Sequence, residues 1–107
     1  MEVILIITNF PDKTSALTLA QKLIERRAAA CINIFAESTS IYRWQGETEV
    51  SNEIPVFIKT LAKHYRAVEE IIKAIHPYEL PEIIAVPVKL GLPAYIQWVA
   101  DEVTNHS

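Results

Sequence analysis

The sequence has only one cysteine and two glycines in 107 residues, and these scarcities exclude several kinds of site. A lone Cys31 cannot form an internal disulfide, nor a cysteine-built zinc or iron–sulfur centre within one chain. Gly46 and Gly91 are too few and too far apart to form a glycine-rich phosphate loop. Positive charge is also scarce. The 10 Lys plus Arg against 13 Asp plus Glu give a formal net charge of −3, which argues against a nucleic-acid-binding protein.

Long apolar runs are missing as well. The apolar segment at residues 3–7 ends at Thr8 and Asn9, far short of the roughly 20 residues that span a bilayer. It also lacks the basic flank and the cleavage site of a signal peptide. We therefore expect a cytoplasmic protein with a free thiol and no membrane partner. The length predicts a single domain over residues 1–107, because single cores usually run to about 100–150 residues.

What the sequence does have is apolar residues, which make up 50% of the chain. Their spacing predicts the order β-α-β-β-α-β followed by a terminal helix. The predicted strands cover residues 3–7, 31–35 with a continuation at 40–44, about 48–60, and 83–88. The predicted helices cover a segment from Asp12 or Thr14 to about 29, residues 62–75, and a segment that starts at Pro93. This order is typical of an α+β, ferredoxin-like split β-α-β fold, with an antiparallel sheet covered by helices on one side.

Two features of these elements lead to predictions of their own. The first helix is predicted from apolar residues at helical spacing: Leu17, Ala20, Leu23, Ile24 and Ala28. Pro55 cannot donate a ladder hydrogen bond, so it predicts an edge or a bulge in the third strand.

The predicted strands do not alternate between apolar and polar residues, as strands with one solvated face would. Residues 3–7, 31–35 and 83–86 are apolar on both faces, with Asn33 the main exception. The second face needs a cover, and no segment of the chain remains to supply it. We therefore predict an obligate homo-oligomer.

The densest polar and aromatic cluster is the segment HPYELPE at residues 76–82, between the second helix and the fourth strand. Two interpretations stay open for its histidine. His76 is a metal ligand or proton carrier in a binding cleft, or it caps the end of the helix, where its charged form is favoured. Spacing alone favours the cap.

A second cluster lies around the predicted hairpin tip. Tyr42 and Trp44 share one face of the first hairpin strand, and Glu47, Glu49 and Glu53 share one face of the next. Such an aromatic pair beside carboxylates either holds a ligand cation or packs across the strands next to a solvated acidic rim.

Single residues add little chemistry. Lys59 is the one cation in an apolar strand, and since a buried lysine needs a partner, we expect it to meet a carboxylate or an anionic ligand. Cys31 is expected to be a small, buried, inert thiol. No nucleophile elbow or catalytic set emerges, so we do not expect an enzyme.

Three segments resemble the hallmark segments of the CutA family of divalent-cation tolerance proteins: AACINI at 29–34, SIYRWQGE at 40–47 and HPYELPEII at 76–84. The segments IKT at 58–60 and YIQW at 95–98 are also similar to that family. The resemblance runs from about Val3 to Trp98. It implies a cytoplasmic homotrimer of ferredoxin-like subunits, similar in architecture to PII signalling proteins, and a link to tolerance of copper and other divalent metals.

The resemblance also implies a cleft between subunits that carries the family's shared polar residues, which here are Tyr42, Trp44, Lys59, His76, Tyr78 and Glu82. Family members proposed to bind copper have a cysteine where Thr8 stands and a second histidine where Ile75 stands, so His76 alone remains of that ligand set. Three functions stay open: weak binding of Cu(II) or another divalent metal with His76 as a ligand, PII-like binding of an anionic or planar molecule by Lys59 and Tyr78, and a purely structural trimer.

Overall fold

The structure is a computed structural model that describes residues 2–104, and it has a mixed α+β fold. The elements in chain order are β1 (Val3–Phe10), α1 (Lys13–Glu25), β2 (Cys31–Ile34), β3 (Ser38–Trp44), β4 (Glu47–Leu61), a 3-10 turn (Ala62–His64), α2 (Tyr65–Ile75), β5 (Ile83–Pro87) and α3 (Pro93–Val103). The predicted α+β class with a terminal helix is confirmed. The predicted second strand is two separate strands, β2 and β3.

All strand pairs are antiparallel, in the order β2-β4-β1-β5, and β3 pairs with the outer part of β4. Strand β4 is long enough to pair with β2 and β3 one after the other along the same edge. Pro55 lies where the partner changes from one to the other, and its carbonyl accepts a 3.0 Å hydrogen bond from the Phe35 N–H. The expectation of an edge strand was wrong for β4 as a whole, which lies inside the sheet. At Pro55 itself, however, neither β2 nor β3 has a residue in register, so the strand is locally unpaired on that side, where a proline is tolerated.

Helix α1 begins where predicted, with the Asp12 side chain accepting a hydrogen bond from the Ser15 N–H. It ends about four residues earlier than predicted. Arg27 adopts a positive φ of 53°, the Arg27 N–H donates to the Ile24 carbonyl, and the Ala28 N–H donates to the Leu23 carbonyl. These bonds form a Schellman motif without glycine, which satisfies the last carbonyls and stops the helix.

One face of the sheet carries the main core, which α1 and α2 cover. The predicted stripe of α2 is confirmed, since Val68, Ile71 and Ile72 are buried. The predicted stripe of α1 was partly wrong: Leu17 and Ile24 are 45% and 49% exposed. The residues that α1 does bury are Ala16, Leu19 and Leu23.

The second face of the sheet is covered at one end by α3. Val99, Ala100 and Val103 pack against Val3 and Leu61 in a separate cluster. The prediction that no segment of this chain covers the second face was thus wrong for this end. Away from α3, apolar side chains remain open to solvent in the single chain, among them Phe35, Ile84 and Val86, which are 45%, 51% and 43% exposed. Among the described residues, no helix has the length and apolar character that a membrane crossing requires.

Candidate functional site

A cavity of about 630 Å³ lies between the β3–β4 hairpin, the end of β1 and the loop that precedes β5. Its lining combines aromatic rings, carboxylates and small polar groups: Asn9, Ser40, Ile41, Tyr42, Trp44, Glu53, Tyr78, Glu79, Leu80 and Glu82. No lysine, arginine or histidine is among the described residues that line it. The cavity therefore has one sign of charge.

The hairpin sets the aromatic wall. Gln45 and Gly46 have positive φ values of 50° and 82°, so a tight two-residue turn pairs Trp44 with Glu47. The alternation of the strand then puts Tyr42 on the same side as Trp44. The Tyr42 hydroxyl forms a 3.2 Å hydrogen bond with the hydroxyl of Ser51 on the neighbouring strand.

Glu53 is the buried charge of the cavity. The sequence groups it with Glu47 and Glu49 on one face of β4, but those two are exposed whereas Glu53 is only 7% exposed. Its backbone carbonyl accepts a 3.3 Å hydrogen bond from the Ser38 hydroxyl, which fixes its place opposite β3. The sequence offers Glu53 only as one of three carboxylates beside the aromatic pair and does not distinguish it from the other two. Its burial becomes visible only once the distant loop at 76–82 is placed against the hairpin.

Tyr78 faces Glu53 from that loop. Partial burial raises the pKa of the Tyr78 phenol above its ordinary value of 10.0, and the negative charge of Glu53 raises it further. A neighbouring phenol, Tyr42, acts in the same direction. Tyr78 is therefore neutral at physiological pH and is available as a hydrogen-bond donor to the Glu53 carboxylate.

His76 is 8% exposed and lies behind the cavity rather than in its lining. Its Nδ1 accepts a 3.1 Å hydrogen bond from the Tyr78 N–H, so Nε2 carries the proton and donates to the carbonyl of Asn9 at 2.5 Å. The ring also contacts the rings of Phe10 and Tyr78, with centroids 4.5 and 4.7 Å away. Both ring nitrogens are thus occupied, and a metal at His76 requires the ring to release one of these bonds. The imidazole does not cap the carbonyl end of α2 either.

Of the two other predicted site residues, Glu82 lies in the cavity and Lys59 lies outside it. Glu82 lines the cavity, where its Oε1 accepts a 2.8 Å hydrogen bond from the side-chain amide of Asn9. Lys59 does not line it. The Lys59 ammonium lies 5.8 Å from the centroid of the Tyr95 ring, on the face covered by α3. Its neighbour is therefore an aromatic ring and not a carboxylate, which was one of the two expected partners beside an anionic ligand. Within one chain the structure brings together Tyr42, Trp44, Tyr78 and Glu82, but not Lys59.

Cys31 is half-buried rather than fully buried, and its thiol lies 4.0 Å from the Asn33 side-chain oxygen. In the described part of the chain, no three His, Cys, Asp or Glu side chains are grouped as a metal site would need. The carboxylates of the cavity are therefore too dispersed to form a compact metal-binding set.

Comparison with known proteins identifies the family. The sequence model described as "CutA1 divalent ion tolerance protein" matches residues 4–102. The chain belongs to the CutA1 family. The predicted resemblance is thereby confirmed, and the family's description names ion tolerance rather than an enzymatic reaction.

Relatives agree along most of the chain. The divalent-cation tolerance protein CutA of Thermus thermophilus is 42% identical over 101 residues, which are 94% of this chain and 97% of that protein. A CutA homolog of Xenopus laevis is 41% identical over 91 residues, or 85% of this chain, and the match spans only 60% of that longer protein.

Solved structures share the fold. CutA from Xylella fastidiosa superposes with a TM-score of 0.93 at 42% identity, covering 97% of this chain and all of that one. A CutA from Archaeoglobus fulgidus, described as periplasmic, superposes with a TM-score of 0.92 at 31% identity, covering 95% of this chain and 99% of that one. The antiparallel α+β architecture is thus that of the CutA structures.

Proposed function

We propose that this chain is a non-catalytic, cation-binding member of the divalent-cation tolerance family that acts as a homotrimer. The observation that carries the proposal is Glu53, a carboxylate that is 7% exposed in a cavity whose described lining contains no basic side chain. A buried carboxylate that has no basic neighbour in its own chain is stabilised by a bound cation. Glu79 and Glu82, at the more exposed part of the lining, add to the negative potential that attracts a cation.

The trimer is supported by the sheet face that α3 leaves open. Ile84 and Val86 on β5 and Phe35 after β2 are large apolar residues with roughly half of their surface exposed in the single chain. A monomer rarely leaves such a patch in water, and association of like subunits is the usual cover. The family resemblance supports three subunits, and we place the protein in the cytoplasm.

The proposed cation site differs from the expected copper site. It uses the carboxylates and aromatic rings of the cavity, because both nitrogens of His76 are already hydrogen-bonded. A PII-like site for an anion, with Lys59 and Tyr78 as partners, has less support, since Lys59 lies against Tyr95 and the cavity is acidic.

A ligand-induced thermal-shift panel tests the proposal. The panel contains metal cations (copper(II) and magnesium), small organic cations, and small carboxylates as anionic controls, in a buffer free of amines. We expect at least one cation to raise the melting temperature of the wild type and none to raise that of Glu53→Gln, whereas the anions stabilise neither. Stabilisation by anions alone, or by no cation at all, would overturn the proposal.

A further inference from the structure

We infer that the cation bound by this cavity is an organic ammonium ion, a positively charged nitrogen on a carbon skeleton, rather than a bare metal ion. This inference rests on the proposed cation-binding function and names the ligand class for the same site.

The electrostatic part of the inference comes from Glu53. The residue is 7% exposed, lines the cavity, and has the neutral Tyr78 phenol as its neighbour. The Tyr78 phenol gives Glu53 a hydrogen bond but no positive charge, and no basic side chain among the described residues of the same chain lines the cavity. A ligand that brings a positive charge to this point of the cavity complements the Glu53 carboxylate.

The aromatic part comes from the walls around that point. Tyr42, Trp44 and Tyr78 line the same cavity as Glu53. Aromatic faces attract cations, and organic ammonium ions gain most because their weakly hydrated substituents also bury apolar surface against the rings. A metal ion that keeps its water shell gains little from such walls. Ile41 and Leu80 extend the apolar lining, which suits a carbon skeleton.

The volume of the cavity and the arrangement of its donor atoms also favour an organic ion over a metal ion. A cavity of about 630 Å³ is far larger than a metal ion and falls in the range of small-molecule sites, about 300–1,000 Å³. A bare metal needs several donor atoms converging on one point, and the described residues offer no such group. In addition, one oxygen of Glu82 is already taken by the Asn9 amide.

The test is isothermal titration calorimetry with matched probes in an anionic, amine-free buffer. Choline and butylammonium are the ammonium probes, dimethylbutanol is the neutral carbon isostere of choline, and magnesium and copper(II) chlorides are the metal probes. The proteins are the wild type, Glu53→Gln, Trp44→Leu, and Glu70→Gln as a control that removes the same charge from an exposed position on α2. Circular dichroism confirms that each variant is folded. Trp44→Leu and Glu53→Gln change different walls of the cavity, so the test can still be made with one of them if the other does not fold.

We expect an ammonium probe to bind the wild type and Glu70→Gln with equal affinity. Its affinity for Glu53→Gln or Trp44→Leu is expected to be lower by about tenfold or more. The neutral isostere is expected to bind much more weakly than choline. Three results overturn the inference: equal binding of choline and dimethylbutanol, failure of both ammonium probes, or ammonium binding that is unchanged in both cavity variants. If the ammonium probes fail while a metal ion binds in a Glu53-dependent way, only the ligand class is wrong. If no cation binds at all, the proposed function fails with it.

Discussion

His76 Nε2 lies 2.5 Å from the backbone carbonyl oxygen of Asn9, and this bond ties the loop before β5 to the end of β1. The other ring nitrogen holds the backbone of Tyr78, so one buried imidazole joins two walls of the cavity. His76 thus acts as a positioning residue for the site, a role that differs from both sequence-based interpretations, the helix cap and the metal ligand or proton carrier.

Replacing His76 with alanine is expected to destabilise the protein by about 2–4 kcal/mol. The change removes two hydrogen bonds and the contacts with Phe10 and Tyr78, and it leaves a cavity. Urea denaturation of wild type and variant measures the loss. A variant as stable as the wild type would show that the ring does not hold the loop. Nitrogen-15 NMR of the imidazole is expected to show the proton on Nε2, because Nδ1 accepts the hydrogen bond from Tyr78.

The phenol of Tyr78 is expected to titrate above the ordinary tyrosine value of 10.0, because burial and then the charge of Glu53 raise its pKa. Ultraviolet difference titration of wild type against Tyr78→Phe isolates this group from the other three tyrosines. In Glu53→Gln the pKa of Tyr78 is expected to fall toward 10.0 without reaching it, since burial remains. An unchanged titration in Glu53→Gln would contradict the contact between the two side chains.

The raised pKa of Tyr78 also determines whether the protein gains or loses stability at high pH. The folded-state pKa of Tyr78 lies above its unfolded value, so the group contributes stability that is fully present below about pH 10 and is lost as the pH rises through the folded pKa. Denaturation measured on both sides of pH 10 is expected to show a smaller alkaline loss for Tyr78→Phe than for the wild type. An equal loss would place the alkaline sensitivity elsewhere.

The uncovered sheet face gives a prediction about assembly. Val86→Glu puts a charge on the apolar face away from α3 and is expected to dissociate the oligomer, as measured by size-exclusion chromatography with light scattering. Leu17→Glu is the matched control, because Leu17 on α1 is 45% exposed against 43% for Val86 but lies on the helical side. A trimer that survives Val86→Glu, or one that is lost in Leu17→Glu, would contradict an interface on the open face.

The sequence predicted the element order well because periodicity is a local property. The stripe of α2, the start of α1 at one of the two predicted caps and the position of the β3–β4 hairpin tip all follow from spacings within a few residues. The end of α1 was missed, since glycine is the usual signal for a left-handed cap and Arg27 takes that conformation here.

The site was less predictable, because it joins segments that are distant in the chain. The hydrogen bond between Asn9 and Glu82 spans 73 positions, and no local pattern marks Asn9 as its partner. Spacing paired Tyr42 with Trp44 and placed Tyr78 and Glu82 in one segment, but only the family resemblance joined the two pairs. The burial of Glu53 depends on the tertiary arrangement, and an alternating run of glutamates looks the same whether its last member is exposed or buried.

The most direct test of the account is the melting temperature of Glu53→Gln without any ligand. If Glu53 is a buried carboxylate held ready for a cation, removal of its charge relieves an uncompensated burial penalty. We then expect the ligand-free variant to melt a few degrees above the wild type, and Glu70→Gln to have the same melting temperature as the wild type. A ligand-free Glu53→Gln that melts below the wild type would contradict the account, because it would show that the protein itself already supplies the positive partner of Glu53.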